Sequence, residues 1–290
     1  MAFVIRKAER KQAKLRMALV GVSGCGKTTG AIRLAGGMGG KFVIIDTERK
    51  SADLFAHLAD FDVLQLEKPF TPEKYIEAIR HCENAGYNTI IVDSLSHAWS
   101  GEGGVLEMQD NATKASSTKN SYTAWREVTP WQNRLIDAML QSNSHIIVTM
   151  RAKTHYDLVN ENGRMKPVKV GLAPVQREGM DYEFTVVLDI DKDSHIYSAS
   201  KDRTQLFDGN PDKISFETGK RLMEWLNDGK SFADIEEEEI EKIRSAMMSS
   251  TLEGLRQEYA SAKKAYPHRE KELLKIAEER KLLLQDGGIH

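Results

Sequence analysis

The run Gly21-Val22-Ser23-Gly24-Cys25-Gly26-Lys27-Thr28 constrains this chain more than any other feature. It satisfies the spacing G-x-x-x-x-G-K-[ST] in full. The apolar run MALV leads into it and the helix-forming run TTGAIRLAGG leads out. Glycines let a backbone wrap an anion, and successive N–H groups then point inward at a helix N-terminus. Lys27 can reach the outer phosphates of a nucleoside triphosphate, and the Thr28 hydroxyl can ligate Mg2+. Residues 21–28, with Thr29 behind them, are therefore the expected phosphate site, and ATP with Mg2+ is the expected cofactor.

The surrounding sequence supports a sheet behind this loop. Short apolar runs alternate with helical stretches from about residue 15 to 206. Strands are expected at Arg16–Val20, Phe42–Asp46, Asp62–Leu66, Thr89–Asp93, His145–Met150, Tyr182–Ile190 and His195–Ser200. Runs such as FVIID and TIIVD are too apolar for a half-solvated strand and suit a parallel sheet covered on both faces. Thr71-Pro72-Glu73 reads as a helix start, and Gly86 as its stop. Tyr122–Gln141 is mostly helix-forming, with Pro130 expected to mark a break or a fresh start. The segment DLV-NENG-RMKPVKV reads as a β-hairpin with Asn162-Gly163 at its turn. A helix is expected from Thr218 to Asn227. Residues 231–290 are acidic, then amphipathic, with Ser250 and Glu253 as a capping box and a last helix ending near Leu284.

Composition narrows the class. Hydrophobic residues are 40% and charged residues 29%, which excludes wholesale disorder. Lys and Arg number 41 against 43 Asp and Glu, which disfavours a strongly basic, DNA-coating protein. Two cysteines, Cys25 and Cys82, cannot make a disulfide framework. No run approaches the roughly 18–20 apolar residues that span a bilayer, and MAFVIRKAERKQAK lacks the apolar core of a signal peptide. The expected location is a reducing cytoplasm, with no membrane partner. The histidines show no metal-ligand spacing with the cysteines.

The second half of a nucleotide site should be an acid at the end of another buried strand. Asp93, closing TIIVD, fits, and would hold Mg2+ through a water. Glu48 follows the strand run Phe42–Thr47. A lone Glu there is most simply a solvated charge, although an acid at that point could also polarise an attacking water.

Taken together, GVSGCGKTT, VIIDTERKSAD and TIIVDSLSHAW resemble the RecA-like recombinase ATPases in order and spacing. The resemblance implies an α/β fold: a RecA-like P-loop core with a mostly parallel central sheet flanked by helices, and a small C-terminal α-helical appendage. It implies that Glu48 activates water. It places Arg151, at the end of SHIIVTMR, as a γ-phosphate sensor, where the family usually has Gln. It makes Lys201 and Arg203, in SASKDRTQLF, cations delivered to the neighbouring subunit's ATP. Residues 1–229 resemble more closely the phage nucleotide-binding proteins of the RecA-like single-strand-annealing (Sak) group, through VTMRAKTHYDL, APVQREGMDYEFTVVLDID and ETGKRLMEWLNDG. The expected organisation is a segment 1–14 as a candidate oligomerisation arm, an ATPase core 15–229 and a helical tail 230–290.

RecA-like proteins bind single strands through two loops. Here the candidates are Ser100–Ser121, rich in Gly, Ser, Thr and Asn, and Arg151–Arg177. The second carries Arg151, Lys153, Arg164, Lys166, Lys169 and Arg177 against Asp157 and Glu161. Such local basicity in an acidic chain suits phosphate contact, and suits equally a hairpin whose lysines only stay wet. The leading expectation is an ATPase that assembles as a homo-oligomer or filament on single-stranded DNA and promotes annealing or strand pairing. A single-strand-binding protein or another recombination protein is the candidate partner of the tail. The alternatives are a helicase or loader ATPase on the same fold, and a nucleotide-switched adaptor.

Overall fold

The structure is a computed structural model, and it describes residues 7–116, 119–161 and 164–286, with side chains described for all of these except 154–172 and 285–286. The chain divides into two compact units, Ala13–Leu226 and Met1–Gln12 with Asn227–His290. Among the described residues no helix is long and apolar enough to cross a membrane.

The larger unit is built on the strands β1 (Arg16–Gly21), β2 (Phe42–Asp46), β3 (Asp62–Gln65), β4 (Thr89–Asp93), β5 (His145–Glu161), β6 (Arg164–Pro174), β7 (Val186–Ile190), β8 (Ile196–Asp202) and β9 (Asp212–Lys213). Their order is β3-β2-β4-β5-β1-β7-β8-β9, with β6 paired to β5 outside this path. From β3 across to β7 the pairing is parallel. The edge formed by β8 and β9 is antiparallel.

Alternation along each strand divides the core between two faces. Ala18, Val20, Val43, Ile45, Ile90, Val92, Ile146 and Val148 face helices α2 (Pro72–Asn84) and α5 (Ser121–Leu140), whose Tyr75, Ile79, Leu135 and Met139 complete one cluster. Met17, Leu19, Ile44, Ile91 and Ile147 face the other way, onto α1 (Lys27–Met38) and α6 (Phe216–Asn227). Side chains buried on both faces explain why these strands read as unbroken apolar runs. Truncating one such Ile to Ala costs about 2–5 kcal/mol. Helices α3 (Ser96–Ser100) and α4 (Val105–Ala115) follow β4. The fold is thus a mostly parallel sheet flanked by helices, with a C-terminal helical region, as expected.

Several local expectations are corrected. The run Tyr182–Ile190 is not one strand: Met180–Glu183 forms a 3-10 turn after Gly179, at φ 83, and β7 begins at Val186. Pro130 does not break α5. The carbonyl it leaves without a donor belongs to Arg126 on the exposed face, while Ala124, Val128, Gln132, Leu135 and Met139 hold the opposite face in the core. The first DNA-loop candidate, Ser100–Ser121, is mostly helix, because α4 occupies Val105–Ala115. In the second, β5 and β6 form the antiparallel hairpin expected, paired from Ala152↔Pro174 to Glu161↔Arg164; its expected turn, Asn162-Gly163, lies outside the described residues. His195 precedes β8 rather than starting it, since its φ of 58 is incompatible with a strand.

In the smaller unit, α7 (Phe232–Ser249), α8 (Leu252–Ala265) and α9 (Glu270–Asp286) close around Ile240, Met247, Leu255, Ala262, Leu273 and Ile276. The capping box sits elsewhere than expected. Ser231 and Asp234 cap α7 reciprocally, while Thr251 rather than Ser250 caps α8, and no box closes there because the third helical position is Gly254, which carries no side chain. Arg269 is held by Glu236, Glu237 and Glu272 at 3.3, 2.9 and 2.6 Å. The described part of the N-terminal segment is bonded within this same unit: Gln12 N–H donates to the Lys230 carbonyl at 2.9 Å, and Lys230 N–H to that of Arg10 at 3.1 Å.

Candidate nucleotide site

The carboxyl ends of β1, β2, β4 and β5 open on one side of the sheet, where open α/β sheets place their ligands. At the end of β1 the chain turns through Gly24 and Gly26, at φ 81 and 95, conformations that only glycine adopts freely. Gly21 is packed so closely that a Cβ would collide with Cys25 Sγ and stand 2.9 Å from the Ile190 carbonyl. Gly26 caps α1 with no side chain, and the first turn of α1 holds no acid. The helix N–H groups and their partial positive charge are left for an outside anion. Lys27 Nζ donates to the carbonyls of Gly21 and Val22 at 3.0 and 2.9 Å, so its ammonium is anchored across the loop.

Asp93 ends β4, buried. It accepts from the Thr28 hydroxyl at 2.6 Å and from the Thr149 hydroxyl at 2.5 Å. Burial raises its pKa, and the two hydroxyls oppose that rise. Thr28 and Asp93 offer hard oxygens side by side. Among the described residues no group of three or more His, Cys, Asp or Glu could form a metal cage. That donor set fits Mg2+, which keeps waters and takes one or two protein oxygens plus phosphate.

β2 ends beside β4, and the two ends are laced together. Thr47 N–H donates to the Asp93 carbonyl at 2.8 Å, and the Thr47 hydroxyl accepts from Ser94 N–H at 2.8 Å. The buried Asp46 carboxylate accepts from Glu48 N–H at 2.6 Å and Ala52 N–H at 3.2 Å, which fixes the turn. Glu48 is thereby presented beside Arg151, at the point where β5 leaves the sheet, with Nη2 to Oε1 2.7 Å. The Arg151 backbone N–H is held in turn by the Ser96 hydroxyl at 2.9 Å.

One cavity of about 640 Å³ gathers most of the expected residues: Ser23, Gly24, Gly26, Lys27, Thr28, Thr29, Glu48, Asp93 and Arg151, together with Phe55 and His195. Gly21 and Cys25 are buried in the loop beneath. Glu48 is therefore no isolated charge. The remaining expected residues lie elsewhere. Lys201 Nζ donates to the carbonyls of Asp181 and Tyr182 at 3.0 and 2.5 Å, and Arg203 is exposed. Neither lines the cavity. Lys153 is exposed on β5. Arg177 is half-buried and donates to Asn133 Oδ1 at 3.3 Å, so part of its fork is used within the chain. The side chains of Arg164, Lys166 and Lys169 lie outside those described.

Sequence reasoning missed Thr149, Thr47, Ser96, Phe55 and His195. Thr149 had a signal: it is the polar residue inside the apolar run IIVTM. His195 had none, since its role depends on a turn brought back from the far side of β7.

A family model described as an AAA domain matches residues 13–233. No curated protein matches the chain. The match covers the whole strand-and-helix core and its phosphate loop, and the chain belongs to the AAA domain family, a P-loop ATPase-type family.

Proposed function

We propose that this chain binds Mg-ATP, hydrolyses it, and uses the cycle to act on single-stranded DNA as a recombination protein that promotes annealing or strand pairing. Lys27 and the loop N–H groups bind the phosphates. Thr28 and Asp93 would hold Mg2+, which supplies neutralisation of charge on the outer phosphates. Glu48 orients the attacking water and takes its proton. Arg151 fixes the Glu48 carboxylate at the cavity edge and offers its guanidinium to the terminal phosphate.

The observation that carries the DNA reading is the course of β5. Its residues His145–Arg151 belong to the central sheet, and Arg151 touches Glu48; from Ala152 the same strand continues into the hairpin that bears Lys153, Arg164, Lys166 and Lys169. The hairpin that carries these cations, one on β5 and three on β6, is thus joined to the hydrolytic end of the cavity through β5. In this reading the active form is a homo-oligomer on the strand, with ATP between subunits and Lys201 and Arg203 acting on the neighbour's nucleotide.

ATPase rate with and without single-stranded DNA, beside electron microscopy of the same mixture, tests it. Stimulation with assembly is expected. Replacing Arg164, Lys166 and Lys169 with Ser should flatten the salt dependence of DNA binding by about two in log–log slope. A rate indifferent to DNA, with no assembly, would remove the recombination reading and leave the ATPase.

A further inference from the structure

We propose that His195 reads the nucleoside: its Nε2 accepts a hydrogen bond from an O–H or N–H of the sugar or base. This rests on the nucleotide reading of the phosphate loop.

The cavity over the loop has two ends. Glu48, Asp93 and Arg151 mark the end where the terminal phosphate reacts, so the nucleoside must leave by the other, past Thr29 and His195. There a second cavity of about 410 Å³ begins, lined by Thr29, Gly30, Arg33, Lys213 and Ile214. His195 and the helix start at Gly26 and Thr29 line both cavities, so the imidazole stands where phosphate chain passes into nucleoside.

The turn between β7 and β8 is built to hold it there. Asp191 Oδ1 accepts from Asp193 N–H at 3.2 Å, Ser194 N–H at 2.9 Å and the Ser194 hydroxyl at 2.7 Å. His195 N–H closes onto the Asp191 carbonyl at 3.1 Å. His195 itself sits at φ 58, a conformation uncommon for a residue with a side chain. Its Nδ1 lies 3.0 Å from the Cys25 carbonyl. A carbonyl can only accept, so Nδ1 carries the hydrogen. In the neutral ring Nε2 then bears a lone pair. The phosphate loop fixes the tautomer, and the tautomer asks for a donor: a ribose hydroxyl or a base amino group.

The test uses calorimetric dissociation constants for the full-length chain. The ligands are the magnesium complexes of ATP, 2′-deoxy-ATP, 3′-deoxy-ATP, the triphosphate of purine riboside (which lacks the 6-amino group) and tripolyphosphate. The variant is His195→Asn. Asparagine tolerates the left-handed conformation, and its amide can meet the Cys25 carbonyl where Nδ1 stood while placing nothing at Nε2. In the wild type, the analogue lacking the read donor should bind about three- to tenfold more weakly than ATP. In His195→Asn, ATP should fall to that analogue's level, and which analogue it is names the donor. His195→Gly, free at this φ, gives the same comparison should the asparagine chain not fold. Equal affinities for all four nucleotides in the wild type, or a preference that persists without the imidazole, overturn the proposal. Tripolyphosphate separates the two readings. If it binds the wild type and not Lys27→Ala while nucleotides are not distinguished, the role of His195 alone falls. If neither tripolyphosphate nor ATP binds, the phosphate site falls and the proposal with it.

Discussion

The two ends of β1 and β5 carry polar groups of similar kind and treat them in opposite ways. At the amino ends, Arg16 is buried and its guanidinium is consumed by carbonyls: Leu15 at 2.7 Å, Ser144 at 2.8 Å, Leu140 at 3.1 and 3.3 Å, and Ser142. Beside it, His145 Nδ1 accepts from Leu15 N–H at 3.1 Å. Burial lowers the Arg16 pKa to about 10 and that of His145 to about 4, the latter helped by Lys14 and Arg16. At the carboxyl ends, Lys27, Glu48 and Arg151 face a cavity, and their remaining donors and acceptors are open to a ligand. A charged group with every bond answered inside the chain stabilises the fold. One whose bonds are half answered is available for chemistry.

Four expected outcomes would break or sharpen this contrast. The largest concerns the open end. Glu48→Gln should lower turnover roughly 10²–10⁴-fold, because the amide keeps the shape but takes no proton. Its melting temperature should hardly move. Near-normal turnover, measured by phosphate release, would return Glu48 to a solvated charge.

The closed end should behave the other way. Arg16→Met should cost roughly 3–5 kcal/mol by leaving buried carbonyls unanswered. For a unit of this size that is a fall of about 10 °C in melting temperature. Nucleotide affinity of the folded fraction should stay intact. A stable Arg16→Met chain with weakened nucleotide binding would reverse the assignment of the two ends.

His145 gives the contrast a pH signature. Its folded pKa lies below the unfolded value, so the unfolded chain binds the extra proton first. Its contribution is complete above about pH 6.5 and is lost as pH falls towards about 4, by roughly 3 kcal/mol in all. Chemical denaturation of wild type and His145→Asn across this window should converge at low pH. Parallel curves would show that the ring is not held neutral.

The smallest effect belongs to Thr149→Val, which removes a hydroxyl from Asp93 without opening a hole. Turnover should fall about 10- to 100-fold, the range for a hydrogen bond to a charged group. The apparent Mg2+ requirement should rise as well. An unchanged Mg2+ titration would make Thr149 part of the core and no more.

What could be read from the sequence follows the same division by distance along the chain. The phosphate loop, FVIID with Glu48, and TIIVD with Asp93 are local statements, in which an apolar run and the residue ending it lie within ten positions. The pairing of Glu48 with Arg151 is not local, and only a resemblance suggested both. Local signals also misled where packing outweighs propensity. Pro130 continues a helix because one face of α5 is buried, and Tyr182–Ile190 divides because Gly179 turns the chain before Thr185 enters the sheet. His195 could not be found from spacing, since its neighbour in space, Cys25, is 170 positions away.

The continuity of β5 has a mechanical consequence. Between Ile146 and Val148 the strand is clamped on both sides, by β1 and by β4, and from Thr149 to Arg151 by β1 alone. Both pairings are parallel, so the interstrand bonds are evenly spaced and slant across the strand. A pull on the hairpin along the strand axis therefore loads these rungs in shear, all at once, instead of peeling them one after another. Beyond Arg151 the strand is paired with β6 alone and its register shifts between His155 and Tyr156, so the sheet-bound stretch is the stiff part and the outer hairpin the compliant one. A force that reaches Ala152 along the strand would thus be felt at Arg151 and at the Glu48 carboxylate that it holds.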